Sequence, residues 1–296
     1  MPGRGTHALR IAMATVLSTT VGVCECAAGG WADSRTVAPF VCRADFSLSR
    51  MEPTLQDLAR LQADLTGALK LPAPRESIEI YLFHDKATYT DYLSRYLPNV
   101  PYRRALYVKS QGVGRVMAYW SRDFEVDLRH ECTHALLHAS LVAVPLWLDE
   151  GLAQYFEVPR WQRALGHPNL AGIRWSLRGG PAPAIETLEK KTAISEMGRA
   201  EYRDSWAWVH FMLHGPPEAR EVLVSYLADL HEKESPGPLS VRLQQRVADP
   251  EQQFLEHFRR WGRRADNLPQ QNSTQISQVD WADDTKCADE SPVVAR

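Results

Sequence analysis

The segment 124–140 restricts the fold of this chain more than any other stretch, because its residues form two chemically different faces. At about 100° of rotation per helical residue, one face is apolar. That face consists of Phe124, Leu128, Cys132, Ala135, Leu136 and Ala139. The adjacent face presents His130, Glu131 and His134. We therefore predict a helix that buries one face in a core, with Cys132 as a small core residue, and presents metal-binding groups beside it.

The second face carries the spacing H-E-x-x-H, with Glu131 directly after His130 and His134 four residues after His130. Two imidazoles one turn apart can converge on one cation, while the glutamate between them reaches a water in the open coordination position. His138 lies too close along the same helix to be the third ligand without crowding. The three-histidine form of the motif is excluded, because Leu137 and Ser140 stand where it needs glycine and histidine.

A third ligand is predicted from the next helix. Pro145 ends the first helix, and a second helical pattern covers Asp149–Glu157. Fifteen residues separate His134 from Glu150, enough to turn and run back antiparallel so that Glu150 faces the histidines. Two histidines and one carboxylate leave a position open for water, which is the arrangement of catalytic zinc. Three further residues are candidates to support these ligands: Asp127, Asp149 and Gln154.

The segments HECTH (130–134) and WLDEGLA (147–153) together resemble the gluzincin metallopeptidases of the peptidase MA-like kind. The closest resemblance is to a bacterial family known mainly as a domain of unknown function. It covers about residues 76 to 262, and its specific part is 119–157. The resemblance implies an α+β, thermolysin-like fold. In that fold a small N-terminal α/β half places an edge strand above the zinc helix, and a helical C-terminal half closes the cleft.

The resemblance also implies roles for single residues. His130, His134 and Glu150 would be ligands of Zn²⁺, and Glu131 would be the general base. Tyr202 stands where many gluzincins carry a tyrosine that stabilises the tetrahedral intermediate, and His210 is the reserve candidate for that role. The aminopeptidase signature G-x-M-E-N is missing, and VMAY (116–119) stands instead, which argues against aminopeptidase specificity. An edge strand at that segment could bind a peptide by β-augmentation.

Residue periodicity divides the chain into an α/β half at about 40–158 and a helical half at about 159–264. The predicted helices are 53–70, 85–96, 124–140, 149–157, 202–214, 218–231 and one starting near 250. The predicted strands are 78–82, 105–109 and 115–120. Glycine and proline indicate an irregular crossing at 160–200. The polar segment 265–296 is predicted to be disordered.

Residues 1–32 are predicted to be a secretory signal. Arg4 and Arg10 precede an apolar stretch, and small residues allow cleavage after Ala28 or Ala32. An uncleaved membrane anchor is the alternative, and lipoprotein processing at Cys24 is less favoured because no small residue precedes that cysteine. No later segment reaches the length of a membrane span. We therefore expect a secreted or periplasmic protein without a stable membrane span after cleavage.

Charge and cysteine content exclude other classes of function. The net charge is −2 and the basic residues are scattered, so no nucleic-acid surface is expected. After signal cleavage Cys42, Cys132 and Cys287 remain, too few for a disulfide framework or a four-cysteine zinc site. A Cys42–Cys287 bridge and two unlinked thiols both remain open.

The sequence thus favours a zinc metallopeptidase that acts on peptide or protein substrates. In this hypothesis Glu131 removes a proton from water, and Tyr202 helps to hold the oxyanion. The alternative is a non-catalytic envelope module that keeps zinc for folding and binds peptides or cell-wall components. A purely structural site has no use for Glu131 or for an open coordination position, so the enzyme is preferred.

Overall fold

The computed structural model describes residues 30–74, 76–232 and 236–266, which form a mixed α+β fold with a five-stranded sheet. The strands are β1 (Asp33–Val37), β2 (Phe40–Ala44), β3 (Ile78–Phe83), β4 (Ala105–Ser110) and β5 (Val113–Tyr119). The helices of the first half are α1 (Glu52–Leu69), α2 (Lys86–Tyr96), α3 (Phe124–Ser140) and α4 (Leu146–Glu157). Those of the second half are α5 (Arg160–Arg163), α6 (Asn169–Ser176), α7 (Ile185–Glu189), α8 (Arg199–His214), α9 (Pro217–Glu232), α10 (Leu239–Arg246) and α11 (Pro250–Asp266).

The sheet has the strand order β1-β2-β3-β5-β4. The two outer pairs, β1 with β2 and β4 with β5, are antiparallel, while β2, β3 and β5 run parallel. The β4–β5 hairpin turns at Gln111 and Gly112, both of which have positive φ, a region that glycine adopts without steric cost. As a result β4 is the outer strand of the sheet beside β5, and it follows directly on the loop at residues 97–104.

Alternation along β3 gives the sheet two apolar faces. Ile78, Ile80 and Leu82 join the main core, whereas Tyr81 and Phe83 join a smaller aromatic cluster on the opposite face. The main core lies between the sheet and α1 and α3, and α2 covers the other face through Tyr89 and Leu93. The predicted alternation in this strand is confirmed.

The helices stack outward from the sheet in the order α3, α4, α8 and α9. α3 packs on β4 and β5 with the apolar face that its sequence predicts, and Cys132 is fully buried there. α4 returns over α3 after Pro145, and its residues Trp147, Leu148 and Leu152 are buried. The metal-binding face of α3 therefore faces α4 and the outer strand of the sheet.

Several elements differ from the prediction. β1, β2 and α10 were not expected, and the crossing at 160–200 contains three short helices, α5 to α7. The segment 116–119 lies in β5, which pairs on both sides and is not an edge strand. The edge strand beside the metal-binding helix is β4, whose Tyr107 ring centroid lies 6.4 Å from that of His134.

The N-terminal boundary also shifts. Trp31 packs on Tyr81 and Phe83, with ring centroids 5.1 and 5.6 Å away, and Ala32 donates its backbone N–H to Ala44. Of the two predicted cleavage positions, only the one after Ala28 keeps these contacts. The remainder of the predicted signal, most of the tail and Cys287 lie outside the described residues, and Cys42 is fully buried in β2. Within the described ranges, no helix combines the length and apolar character that a membrane crossing requires.

Candidate metal centre

Three ligand atoms from two helices converge in one small space. His130 Nε2 and His134 Nε2, one turn apart on α3, lie 3.2 Å from each other. Glu150 Oε2 on α4 lies 3.5 Å from the first and 3.8 Å from the second. A tetrahedral cation with bonds of roughly 2.0–2.2 Å spaces its ligand atoms by about 3.4 Å. The triangle has the size that such a cation requires, so these residues could hold a metal ion.

The positions of the ring protons of His130 and His134 are also compatible with a bound cation. His130 Nδ1 donates to Glu157 Oε2 at 2.8 Å, and His134 Nδ1 lies 3.0 Å from Asp149 Oδ1. The second contact has ion-pair distance without hydrogen-bond alignment. An ionised carboxylate only accepts, so each ring carries its proton on Nδ1 when neutral. Both Nε2 lone pairs and the Glu150 carboxylate then face one point, and a positive charge at that point relieves their repulsion.

The pKa values show the same attraction for positive charge. Burial lowers the pKa of His130, but the hydrogen bonds that the ring donates to Glu150 and Glu157 outweigh burial and raise that pKa well above the ordinary value. Burial also lowers the pKa of His134, but Asp149 raises it overall to about 9. For Glu150, burial raises the pKa and the two histidines lower it more. The site is a cluster of buried and half-buried groups whose carboxylates attract positive charge, as a divalent cation would supply.

Contacts from α1 and the end of α4 hold the ligand helices in register. Arg129 on α3 is buried and donates through Nε to the backbone oxygen of Glu157 at 2.6 Å and through Nη1 to Asp57 on α1 at 2.8 Å. These bonds fix the C-terminus of α4 against α3. Because Glu157 is fixed in this way, its carboxylate is placed where it accepts from His130.

A close approach between α4 and α8 depends on Gly151. A Cβ atom at this position would lie 2.7 Å from the backbone oxygen of Ser205 and 3.0 Å from Cγ2 of Val209. Glycine is therefore required for the two helices to touch. Since Glu150 precedes Gly151 and Tyr202 lies one turn before Ser205, this contact brings the start of α8 close to the metal-binding face.

Tyr202 and Glu131 both lie close enough to this face for their charges to interact. Burial is the main cause that raises the pKa of Tyr202, and the charges of Glu150 and Glu131 add to it, so the phenol is protonated at neutral pH. Glu131 is partly buried on α3, and among the described residues its carboxylate has no hydrogen-bond or ion-pair partner. The structure thus brings a free carboxylate and a protonated phenol to the same region as the three ligand atoms.

Asp149 connects His138 to the site. Its Oδ2 accepts from His138 Nε2 at 2.9 Å, while its Oδ1 faces Nδ1 of His134. His134, His138 and Asp149 form a second group with the spacing of metal ligands, but it uses the Nδ1 side of His134. The Glu150 group leaves the proton on Nδ1 of His134, facing Asp149, so His138 and Asp149 are better described as supports of His134.

Two other proposed supports form their contacts with other partners. Asp127 forms an ion pair with Arg104 at 2.9 Å and contacts no ligand atom. Gln154 accepts from Asn169 Nδ2 at 2.6 Å, so it fastens α6 to α4. The contact with α6 leaves Gln154 without a role beside the metal. The charge of His130 acts on Asp127, so the supporting role of Asp127 stays a prediction.

His210, the reserve candidate for the oxyanion role, is buried away from the three ligands. Its Nδ1 lies 2.9 Å from His257 Nε2, and its Nε2 lies 2.9 Å from the backbone oxygen of Ala164. Both nitrogens are engaged, so none remains to donate to a substrate. This reserve assignment is therefore wrong.

Glu157 is the functional residue that the sequence analysis missed. A signal for it exists, since Glu157 follows Glu150 by seven residues and so lies on the same face of α4. Tyr107 of β4 was also not singled out, although its ring contacts His134 and His138. The strand pattern could place Tyr107 on a face of the sheet but could not reveal which helix covers that face.

A scan against protein-family models and a search of curated proteins each found no match to this chain.

Proposed function

We propose that this protein is a zinc-dependent peptidase of the gluzincin type, with a thermolysin-like arrangement of its metal-binding helices. The observation that carries the proposal is the triangle formed by His130, His134 and Glu150 with the unpartnered Glu131 beside it. A site that served only folding would use a fourth protein ligand and would not keep a free carboxylate next to the metal. The gluzincin assignment itself rests on the two sequence motifs.

The donor set favours zinc among biological cations. Two imidazole nitrogens and one carboxylate oxygen suit zinc, whereas calcium and magnesium prefer sites built from oxygen atoms. When bound, zinc supplies Lewis acidity that polarises a carbonyl oxygen and makes a water molecule more acidic. Glu157 and Asp149 lie against Nδ1 of the two histidines, so that each ring directs its Nε2, the nitrogen that would bind the metal, towards the site.

Two side chains carry out the remaining steps of the proposed reaction. Glu131 takes a proton from the attacking water and passes it to the leaving amine of the peptide bond. The phenol of Tyr202 donates a hydrogen bond to the carbonyl oxygen as negative charge develops on it. Burial and nearby carboxylates keep that phenol protonated, which this role requires.

The substrate is proposed to be a peptide or an extended segment of a protein. β4 is the outer strand next to β5 and lies beside α3, where Tyr107 contacts the ligand His134. A peptide that pairs with the free edge of β4 would run along the metal-binding face. The predicted signal sequence at the N-terminus supports action outside the cytoplasm, in the periplasm or after secretion.

The test is a digest of a peptide library by the purified protein, with and without a chelator, together with metal analysis. We expect cleavage that the chelator abolishes and that added zinc restores. Peptide binding without cleavage, at one zinc per chain, would contradict the enzyme and support the binding module instead.

A further inference from the structure

Two neighbouring arginines lead into the edge strand β4, and they differ in their partners. Arg104 is held by Asp123 and by Asp127 at the start of α3. Arg103 is exposed, and among the described residues it forms no ion pair. One guanidinium thus fastens the loop to α3, while the other is available for a ligand.

Two tyrosines lie close to Arg103. Its backbone oxygen accepts a hydrogen bond of 2.9 Å from Tyr89, whose side chain is buried under α2. Glu131 lies near this tyrosine, since its charge helps burial to raise the pKa of Tyr89. On the other side the guanidinium is close enough to Tyr202 to counteract part of the pKa increase there. Arg103 therefore contacts Tyr89 through its backbone and lies with its side chain beside the proposed oxyanion donor Tyr202.

The surroundings of the cleft are otherwise acidic. Glu131 and Glu150 face it, and a substrate that carries a carboxylate would be repelled without a compensating cation. Lys86, the lysine of α2, is not directed at these carboxylates, because its Nζ lies over the ring of Tyr102, 5.0 Å from the ring centroid. An arginine with free donors is well suited to a carboxylate, because its planar fork can bind both oxygens.

We infer that Arg103 binds a substrate carboxylate located one or two residues from the scissile bond. The inference rests on the proposed function and adds a substrate class to it. An extended peptide advances about 3.4 Å per residue, so a group this close to Tyr202 can reach only the residues next to the reacting carbonyl. The carboxylate is either the C-terminus of a short peptide or the side chain of Asp or Glu.

The test compares three pools of five-residue peptides with otherwise identical random composition. The first pool ends in a free carboxylate and lacks Asp and Glu, the second ends in an amide, and the third ends in an amide and carries one Glu. Cleavage is followed by mass spectrometry, and binding is measured by retention on immobilised Glu131→Gln protein. Variants are Arg103→Ala and Arg103→Lys. Arg122→Ala is the matched control, because it removes an exposed arginine that has no ion pair in the described structure.

We expect wild-type protein to prefer the first or the third pool over the amide pool by about tenfold, in cleavage and in binding. Arg103→Ala should abolish the preference, so that the three pools are cleaved at the same rate as one another. Arg103→Lys should restore part of the preference, and Arg122→Ala should keep it. The pool that is preferred identifies the source of the carboxylate.

The inference fails if Arg103→Ala leaves the preference unchanged, or if it slows all three pools equally, which would make Arg103 a positioning residue for Tyr202. The binding measurement distinguishes a failure of the role proposed for Arg103 from a failure of the proposed peptidase activity. Retention that favours carboxylate pools without any cleavage would sink the peptidase and leave the role of Arg103 standing.

Discussion

Two clusters of histidines lie on opposite sides of α4, and their chemistry differs completely. His130 and His134 on α3 face carboxylates, and their pKa values are raised. His210 and His214 on α8 have lowered pKa values, chiefly because of burial, and that of His214 falls to about 4. The imidazoles are equally close in both clusters: the ring centroids are 4.9 Å apart in the first and 4.7 Å apart in the second.

The partners of the ring nitrogens explain the difference. In the second cluster the nitrogens bond to neutral groups: His210 to His257 and a backbone oxygen, and His214 to the hydroxyl of Tyr155 at 2.8 Å. No carboxylate of the described residues is among the main causes that set these pKa values, and burial therefore keeps the rings neutral. In the first cluster each ring has a carboxylate behind Nδ1 and a free Nε2. Histidine proximity alone thus marks a packed core, whereas histidines backed by acids mark a cation site.

The largest expected effect is the loss of metal from the first cluster. His134→Ala and Glu150→Ala should each weaken zinc binding by roughly a thousandfold or more, because each removes one of three protein bonds. Metal content and competition with a chromogenic chelator measure the effect. His257→Gln, in the second cluster, is the control and should bind zinc normally. If Glu150→Ala binds zinc normally while His138→Ala or Asp149→Ala does not, the third ligand is misassigned.

Next in size is the effect of Tyr202→Phe on turnover. We expect kcat to fall about a hundredfold with little change in KM or zinc content, because the phenol acts mainly in the transition state. His210→Gln should leave kcat close to wild type, since that ring reaches no substrate. Full activity in Tyr202→Phe together with a low kcat in His210→Gln would transfer the role to the second cluster.

The contact that joins the two clusters gives a smaller effect, on stability. Gly151→Ala should destabilise the fold by about 2 kcal/mol, because the new Cβ overlaps the backbone of α8. Gly67→Ala on α1 is the matched control. Nothing lies within 4 Å of its Cβ position, so the substitution should be neutral or stabilising by up to about 1 kcal/mol. Urea unfolding measures the stability of both variants. Equal stability of the two would argue against the close contact of α4 with α8.

The smallest expected effect is the pH dependence that His214 of the second cluster contributes to stability. The folded pKa of His214 lies below its unfolded value of 6.5, so its contribution to stability is present above pH 6.5 and is lost as the pH falls towards 4. His214→Gln can still accept from Tyr155 and does not titrate. With chelator in both samples, the free energy of unfolding of the wild type should fall by about 1–3 kcal/mol more than that of the variant between pH 7 and pH 4.5. Parallel pH profiles would mean that His214 is not buried in its neutral form.

The first cluster could be predicted from sequence because its information is local. The spacing of His130 and His134, the break at Pro145 and the position of Glu150 require only helix geometry and one turn. The second cluster could not, because His210 meets His257, which lies 47 residues further along the chain. Sequence spacing predicted that His210 lies on α8 but could not reveal which groups its nitrogens contact.

The same distinction explains the fold. α1, α3 and α8 are long and periodic, and they were predicted. β1 has a polar, exposed middle, and it forms by pairing with β2 and not by any alternation of its own. α5, α6 and α7 have four, eight and five residues, which are too few to show a helical period among glycines and prolines. The edge strand was misplaced because β4 and β5 have similar patterns, and only the pairing with β3 separates them.

The most direct test of the account is Glu131→Gln, measured for zinc content and peptide hydrolysis in the same preparation. Glu125→Gln is the control, because Glu125 is an exposed glutamate on the same helix. The account predicts that both variants keep one zinc per chain, that Glu125→Gln cleaves like wild type, and that hydrolysis by Glu131→Gln falls by about a thousandfold. Equal turnover by Glu131→Gln and wild-type protein would contradict the peptidase mechanism.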